Sequence, residues 1–338
     1  MGELYKKIKN HSLFWPLAFF GAAFLLRLVY FWQIKSDPIF LLPILDAAYY
    51  DRWAKDIVAG RVFTSSAFFV EPGYAYLLAI FYKLFSAGRF FPVIFQFLLS
   101  SATAALVYLI GNKLFGRLAG IAAGLFMLTR RPWLFYDALL LKTSVEIFLL
   151  TLVLYLAVRA FEKQNPRRFF VLGLTIGLAA IFKANIFYTV PFLALAMFFT
   201  GRAGAEEKPS GKKSFLNSLT VQAAGQWKNI LLLVLGVVIP IFPVTLHNWQ
   251  ASRSFVPINY SGGPNIYIGN WEGSDGSLKP PEFISMSPGS EETSWIKMTQ
   301  AYLGEKVTPA RISSYWTGRA LAEAWNGKKF FLVNTGKK

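Results

Sequence analysis

The chain has 338 residues, of which 54% are hydrophobic and only 16% charged, and its mean hydropathy is +0.41. An ordinary soluble domain carries about 25% charged residues, so this balance excludes one and fits an integral membrane protein. The formal net charge is +17 and Cys is absent; a disulfide framework and a thiolate metal site are thereby excluded, and the basic residues fall in short runs between apolar segments, the pattern of membrane loops rather than of a nucleic-acid-binding face.

The N-terminal stretch "MGELYKKIKNHSLFWPLAFFGAAFLLRLVYFW" has a basic leader and an apolar run with no small-residue cleavage site after it, which predicts a retained first helix. A spanning helix needs roughly 20 apolar residues, and the candidates in chain order are 13–33, 90–111, 118–136, 139–159, 169–184, 186–200 and 229–246. The segment 73–87 is apolar but short. If it spanned, Lys113, Arg117 and the run "RAFEKQNPRR" (159–168) would move to the outer side, against the positive-inside rule. It therefore reads as an interfacial or re-entrant helix on the outer face.

The expectation is a membrane bundle over 1–246 with about seven spans and a cytoplasmic N-terminus. Lys6, Lys7 and Lys9, the 113–117 and 159–168 clusters and the loop "GRAGAEEKPSGKKSF" (201–215) then share the cytoplasmic side. The outer regions are a first loop 34–89, a short turn at 130–142 and an extracytoplasmic segment 247–338 rich in Gly, Pro and Trp. The stretch 201–228 reads as a mobile Gly/Lys/Ser-rich loop. No internal repeat is visible.

In the first outer loop, "PILDAAYYDRWAKDIVAG" (43–60) predicts a short helix over 47–59 with Asp46 at or near its N-cap and Gly60 at its end. Tyr50, Trp53, Ala54, Ile57 and Val58 share one face. Asp51 with Lys55 and Arg52 with Asp56 are i,i+4 pairs on the other, so a charge-paired helix lying along the membrane accounts for them. Nothing basic stands three or four residues after Asp46. Further on, "NYSGGPNIYIGN" reads as a tight loop, and "TPARISSYWTGRALAEAW" predicts a helix over 309–325.

The order of "LDAAYYDRWAKDIVAG", "EPGYAYLLAIFYKLFSAG", "LVYLIGNKLFGRLAGIAAGLFML", "LFYDALLLKTSVEIFLL", "LGLTIGLAAIFKANIFYTVP" and "HNWQASRSFVPINYSGGPNIYIGN" resembles the superfamily of membrane glycosyltransferases that use polyprenyl-phosphate sugars. In particular it resembles the bacterial relatives of the protein O-mannosyltransferases and of the aminoarabinose transferase that modifies lipid A. The resemblance spans about 20–335. It implies an all-α, GT-C-like multi-span bundle in a bacterial-type cytoplasmic (inner) membrane, with interfacial helices in the first outer loop and an active site on the extracytoplasmic side. It implies an inverting transfer from a polyprenyl-phosphate-linked sugar to a protein hydroxyl, lipid A or an envelope glycan, with no nucleic-acid partner.

On this resemblance Asp46 stands where relatives place the general base, and Asp137 in "LFYDALLLK" stands for the second acidic residue. A hydroxyl acceptor must lose a proton as it attacks, and the departing lipid phosphate needs cations to meet its charge. The cations for that task are Lys183 in "IFKAN", Arg131 and Lys142, because ionisable groups at membrane depth are functional candidates. Arg130 and Lys142 also have a plain account as long side chains reaching the interface. Glu71 in "FVEPGY" departs from a Glu-Lys pattern in relatives, which weakens any metal role; it, Tyr50, His247 and Asn248 are accessory candidates. Two His without Cys do not build a usual zinc site, and no P-loop or dinucleotide fingerprint is present, so no cofactor is expected; a divalent cation has no support in the residues themselves.

Two other classes compete. A transporter or flippase for lipid-linked sugars predicts charges distributed through the spans and internal repeats, whereas the acids here collect in the outer regions. Relatives continue beyond "FLVNTGKK", so an inactive truncated scaffold is the third expectation.

Overall fold

The computed structural model describes residues 13–326 apart from 87, 201–211, 275–278 and 286–288, and the side chains of 200 and 212–225 are likewise outside the description. The described residues are helical and contain no strand. In chain order the helices are α1 (Phe14–Ile34), α2 (Pro38–Leu41), α3 (Leu45–Val58), α4 (Gly73–Phe85), α5 (Phe90–Phe115), α6 (Arg117–Thr129), α7 (Arg131–Ala138), α8 (Thr143–Lys163), α9 (Pro166–Phe182), a 3-10 turn Ala184–Tyr188, α10 (Thr189–Thr200), α11 (Lys212–Ser252), α12 (Gly262–Asn270), α13 (Glu291–Leu303) and α14 (Pro309–Asn326). They divide into two compact units: the first is 1–43 with 80–241, the second 44–79 with 242–338.

Among the described residues, four stretches are long and apolar enough to cross a membrane: Phe14–Ile34, Phe90–Phe115, Thr143–Lys163 and Gln226–Ser252. They coincide with four of the expected spans. The other three expected spans correspond to shorter helices. The 118–136 run is broken, because Arg130 is extended (φ −82°, ψ 97°) and α7 starts anew at Arg131 with a proline in its first turn. The break follows from Pro132, which has no N–H to continue the helical hydrogen bonds and whose ring clashes with the preceding turn, so a helix tolerates it only in its first turn. The 130–142 turn therefore contains a two-turn helix. The expected 201–228 loop is also shorter than read, since α11 begins at Lys212; its part over 201–211, like the leader with Lys6, Lys7, Lys9 and His11 and the end at 327–338, lies outside the described residues.

In the first unit α1 runs antiparallel to α5: Phe19 packs on Tyr108 near one end, and Phe31 on Phe97 near the other. Ala23, Ala104 and Met127 bring α1, α5 and α6 into one core. Glycines set the closest crossing. A Cβ on Gly173 would lie 2.1 Å from the Leu233 carbonyl oxygen, one on Gly177 2.3 Å from that of Val237, and one on Gly236 2.4 Å from that of Phe170. Small residues at such a crossing let α9 and α11 approach backbone to backbone, as in membrane helix pairs. Outward, Leu118, Leu17 and Leu154 are 84%, 64% and 52% exposed, an apolar flank suited to lipid.

The second unit has its own core. Trp295 and Trp316 are fully buried with rings 4.8 Å apart, joined by Phe69, Tyr260, Tyr267, Ile284 and Ile312. The Trp316 indole donates to Thr299 (2.8 Å), which satisfies the polar handle of a buried ring. "GGPNIYIGN" is the helix α12 rather than the expected tight loop. Gly263 packs so tightly on Ser313 that a Cβ would meet its carbonyl oxygen at 1.9 Å, and that contact with α14 holds the segment helical. Helix α14 matches the expected 309–325 closely.

Candidate functional site

In the second unit, α3 starts one residue before Asp46, with Ile44 as N-cap, so Asp46 stands in the first turn, near the cap as expected. A carboxylate there still faces the positive end of the helix. Leu45 has a left-handed backbone (φ +50°), a conformation a branched residue holds only at a cost. The Asp51–Lys55 pair forms at 2.7 Å. The expected Arg52–Asp56 pair does not: Asp56 pairs with Arg61 just beyond the helix, and Arg52 Nε donates to the Ala48 carbonyl at 3.4 Å. On the predicted apolar face Tyr50 and Ala54 are buried, while Val58 is exposed; Ala47, outside that set, is buried as well. Tyr50 sits in an aromatic cluster with Tyr49, Trp53 and Tyr74.

Beside α3 lies a cavity of about 520 Å³, whose walls include Tyr49, Arg52, Trp53, Asp56, Phe68 and Glu292. Its mixture of aromatic rings and charged groups suits a polar, ring-shaped ligand. The Trp53 indole nitrogen is buried and has no acceptor among the described residues, a donor that a ligand oxygen would satisfy. Burial pushes the Glu292 carboxyl above the usual range, opposed by the hydrogen bond that Tyr260 Oη donates to its Oε1 at 2.6 Å. Burial, with the neighbouring Glu292 charge, pushes the Tyr49 phenol up to about 12. Burial likewise raises the Glu291 carboxyl; the Trp295 indole hydrogen bond works against this and the Asp46 charge adds to it. Raised carboxyls in a cleft mark candidate functional groups.

Glu291 and Glu292 were not among the residues expected from the sequence. Their one signal was an acidic pair opening a helix in "GSEETSW", indistinguishable from ordinary helix-start acids. Among the described residues, no group of three His, Asp or Glu side chains is arranged to hold a metal ion.

His247 and Asn248 brace the cavity wall. His247 Nε2 lies 2.9 Å from Thr64 Oγ1, and its ring packs on Phe68 at 4.4 Å. Asn248 is fully buried; its Oδ1 accepts from the Phe68 amide (2.9 Å), and its Nδ2 donates to the Val256 (3.0 Å) and Ile258 (2.9 Å) carbonyls. Glu71 is half-buried just before α4.

In the first unit, Asp137 lies at the end of α7, 3% exposed. Its Oδ2 accepts from Arg27 Nε at 2.8 Å, and its Oδ1 accepts from the Ser100 and Ser144 hydroxyls at 2.6 Å each. Gln96 Nε2 donates to the Asp137 and Leu139 carbonyls at 2.8 and 2.7 Å. Arg27, carried on the first span, was not singled out from the sequence. Lys142 Nζ donates to the Phe182 carbonyl at 3.2 Å and lies 3.1 Å from Glu146 Oε1, which brings it to the end of α9 beside Lys183, the C-cap residue of that helix. Arg131 is exposed at the start of α7, and the Arg130 guanidinium covers the Phe126 ring at 3.9 Å. At the opposite end of this unit Lys113 pairs with Glu162 at 2.7 Å, so the 113–117 and 159–168 clusters share one end, as the charge pattern required of them.

No curated protein and no solved structure matches the chain. Residues 70–221 match the model of a family described as dolichyl-phosphate-mannose-protein mannosyltransferase. The matched stretch is less than half of the 338 residues; it holds Glu71, Asp137, Lys142 and Lys183 and leaves out Asp46, His247 and Asn248. Over residues 70–221, then, this multi-helix membrane chain is similar to the mannosyltransferases of that family.

Proposed function

We propose that the protein is a membrane glycosyltransferase that moves a sugar from a polyprenyl-phosphate donor to a hydroxyl-bearing acceptor, with inversion at the anomeric carbon. The observation that carries this reading is the family match over 70–221, which supplies the reaction class. The acid- and aromatic-lined cavity of the second unit supports it, because its unsatisfied Trp53 donor and raised Glu292 carboxyl favour a ligand rich in hydroxyl oxygens.

In this reading Asp46 accepts the acceptor's proton as the acceptor oxygen bonds to the anomeric carbon. The bond from that carbon to the phosphate oxygen breaks, and polyprenyl phosphate departs with the electron pair. Lys142, Lys183 and Arg131 meet the phosphate charge. Asp137 enters as a positioning residue. Its oxygens already accept three hydrogen bonds, so it anchors Arg27, α5 and α8 rather than taking a proton. His247, Asn248 and Tyr50 hold the cavity wall.

The test is transfer from labelled polyprenyl-phosphate mannose by the full chain in membranes, comparing wild type with Asp46→Asn and Glu292→Gln. Loss of transfer in Asp46→Asn, with the protein still folded by thermal unfolding, supports the assignment. Wild-type transfer by Asp46→Asn removes it.

A further inference from the structure

We propose that the turn between α8 and α9 binds the phosphate headgroup of an anionic membrane lipid. The helices are joined by two residues, Gln164 in the left-handed conformation and Asn165, whose side chain accepts from the Arg167 amide at 2.9 Å. Beside the turn is a cavity of about 410 Å³ lined by Tyr155, Leu156, Arg159, Arg167, Arg168 and Val171. Arg168 Nη1 donates across the turn to the Arg159 carbonyl at 2.6 Å, which fixes one guanidinium against the stem of the next.

The electrostatics are unfavourable without a ligand. The amides that open α9 are already capped, Arg167 N by the Asn165 side chain and Arg168 N by the Asn165 carbonyl at 2.9 Å, but the positive helix end favours negative charge, and α9 opens with Pro166, Arg167 and Arg168 and has no acidic residue in its first turn. Glu162 lies near enough to Arg159 to feel its charge, but its ion pair is with Lys113 at 2.7 Å. Among the described residues no carboxylate forms an ion pair with Arg159, Arg167 or Arg168. Three guanidiniums and a positive helix end therefore converge on one cavity, and a bound phosphate would neutralise them with charge-assisted hydrogen bonds.

The remaining wall selects a lipid over a soluble anion. Tyr155 and Leu156 belong to α8, one of the helices apolar enough to span a bilayer, and Val171 is 45% exposed one turn into α9. An acyl chain can run along this apolar side while the headgroup meets the arginines. Basic pockets at span ends bind anionic headgroups by this division of labour. The proposal does not depend on the transfer reaction.

The test uses the purified full-length chain in neutral detergent, exposed to phosphatidylglycerol or phosphatidylcholine and examined by native mass spectrometry. Phosphatidylglycerol is expected to remain bound and phosphatidylcholine to be lost. Arg159→Gln and Arg168→Gln should each weaken retention about fivefold, while Lys279→Gln in the second unit leaves it unchanged. If Arg168→Gln fails to fold, exposed Arg167→Gln gives the same readout. Equal retention of phosphatidylcholine, wild-type retention in the arginine variants, or displacement by soluble glycerol phosphate at equal concentration would each overturn the assignment.

Discussion

Arg27 and Asp137 stand 110 positions apart in the chain and meet as an ion pair of 2.8 Å, each nearly sealed from solvent. Two serines and the Arg27–Ala23 carbonyl bond (3.0 Å) complete the network, so the charges are fully engaged. Removing one partner of such a pair strands the other and costs about 3–5 kcal/mol, whereas apolar replacement of both is often tolerated. Arg27→Ala and Asp137→Asn are therefore expected to lower the thermal unfolding midpoint by similar amounts, and Arg27→Met with Asp137→Leu to recover much of it. If Asp137→Asn abolished sugar transfer while leaving the midpoint untouched, the anchoring role would be wrong and a chemical role would return.

The α9–α11 crossing offers a second stability test. Gly177→Ala places a methyl group within 2.3 Å of a backbone carbonyl oxygen that no side-chain rotation relieves. Overpacking of this kind costs about 1–3 kcal/mol. Gly21→Ala on α1 has open space within 4 Å and gains helix propensity. The first variant should unfold at a lower temperature than wild type and the second at the same or a higher one, measured in the same detergent.

Apolar periodicity made the long helices and the Asp51–Lys55 pair legible in the sequence, because both depend on neighbours a few residues away. The break after Arg130 was legible too, in Pro132, but hydropathy alone ran over it. What stayed hidden was long-range. Nothing near Arg27 announces Asp137, and nothing in "GSEETSW" announces a cavity shared with Tyr49 and Trp53. "NYSGGPNIYIGN" looked like a loop because local Gly and Asn content cannot register the contact of Gly263 with Ser313 that holds it helical.

Trp53 should matter for binding more than for chemistry. Its ring lines the cavity and its indole nitrogen lacks an acceptor among the described residues. Loss of the hydrogen bond that the indole N–H would donate to the ligand is worth about 1 kcal/mol, so Trp53→Phe, which keeps a ring but no donor, is expected to raise KM for the sugar-bearing substrate roughly fivefold, with kcat little changed. A fall in kcat at constant KM would place the ring's role in the transition state instead.

Glu291 gives a pH-dependent prediction whose sign follows from its environment. Burial, with Asp46 nearby, raises its carboxyl above the usual value in the folded protein. The folded state then holds the proton more tightly than the unfolded chain. Stability from this group is present below the unfolded carboxyl pKa and is lost as pH rises through the higher folded value. Glu291→Gln removes the titration while keeping an amide of similar shape beside Trp295. Its unfolding midpoint should match wild type in acid and exceed it at neutral pH, the gap opening across the window above the ordinary carboxyl range. Asp46→Asn removes one source of the upward shift, so the same melts on that variant should show the gap narrowed. Parallel curves for wild type and Glu291→Gln at every pH would show that the folded protein leaves this carboxyl at its ordinary value.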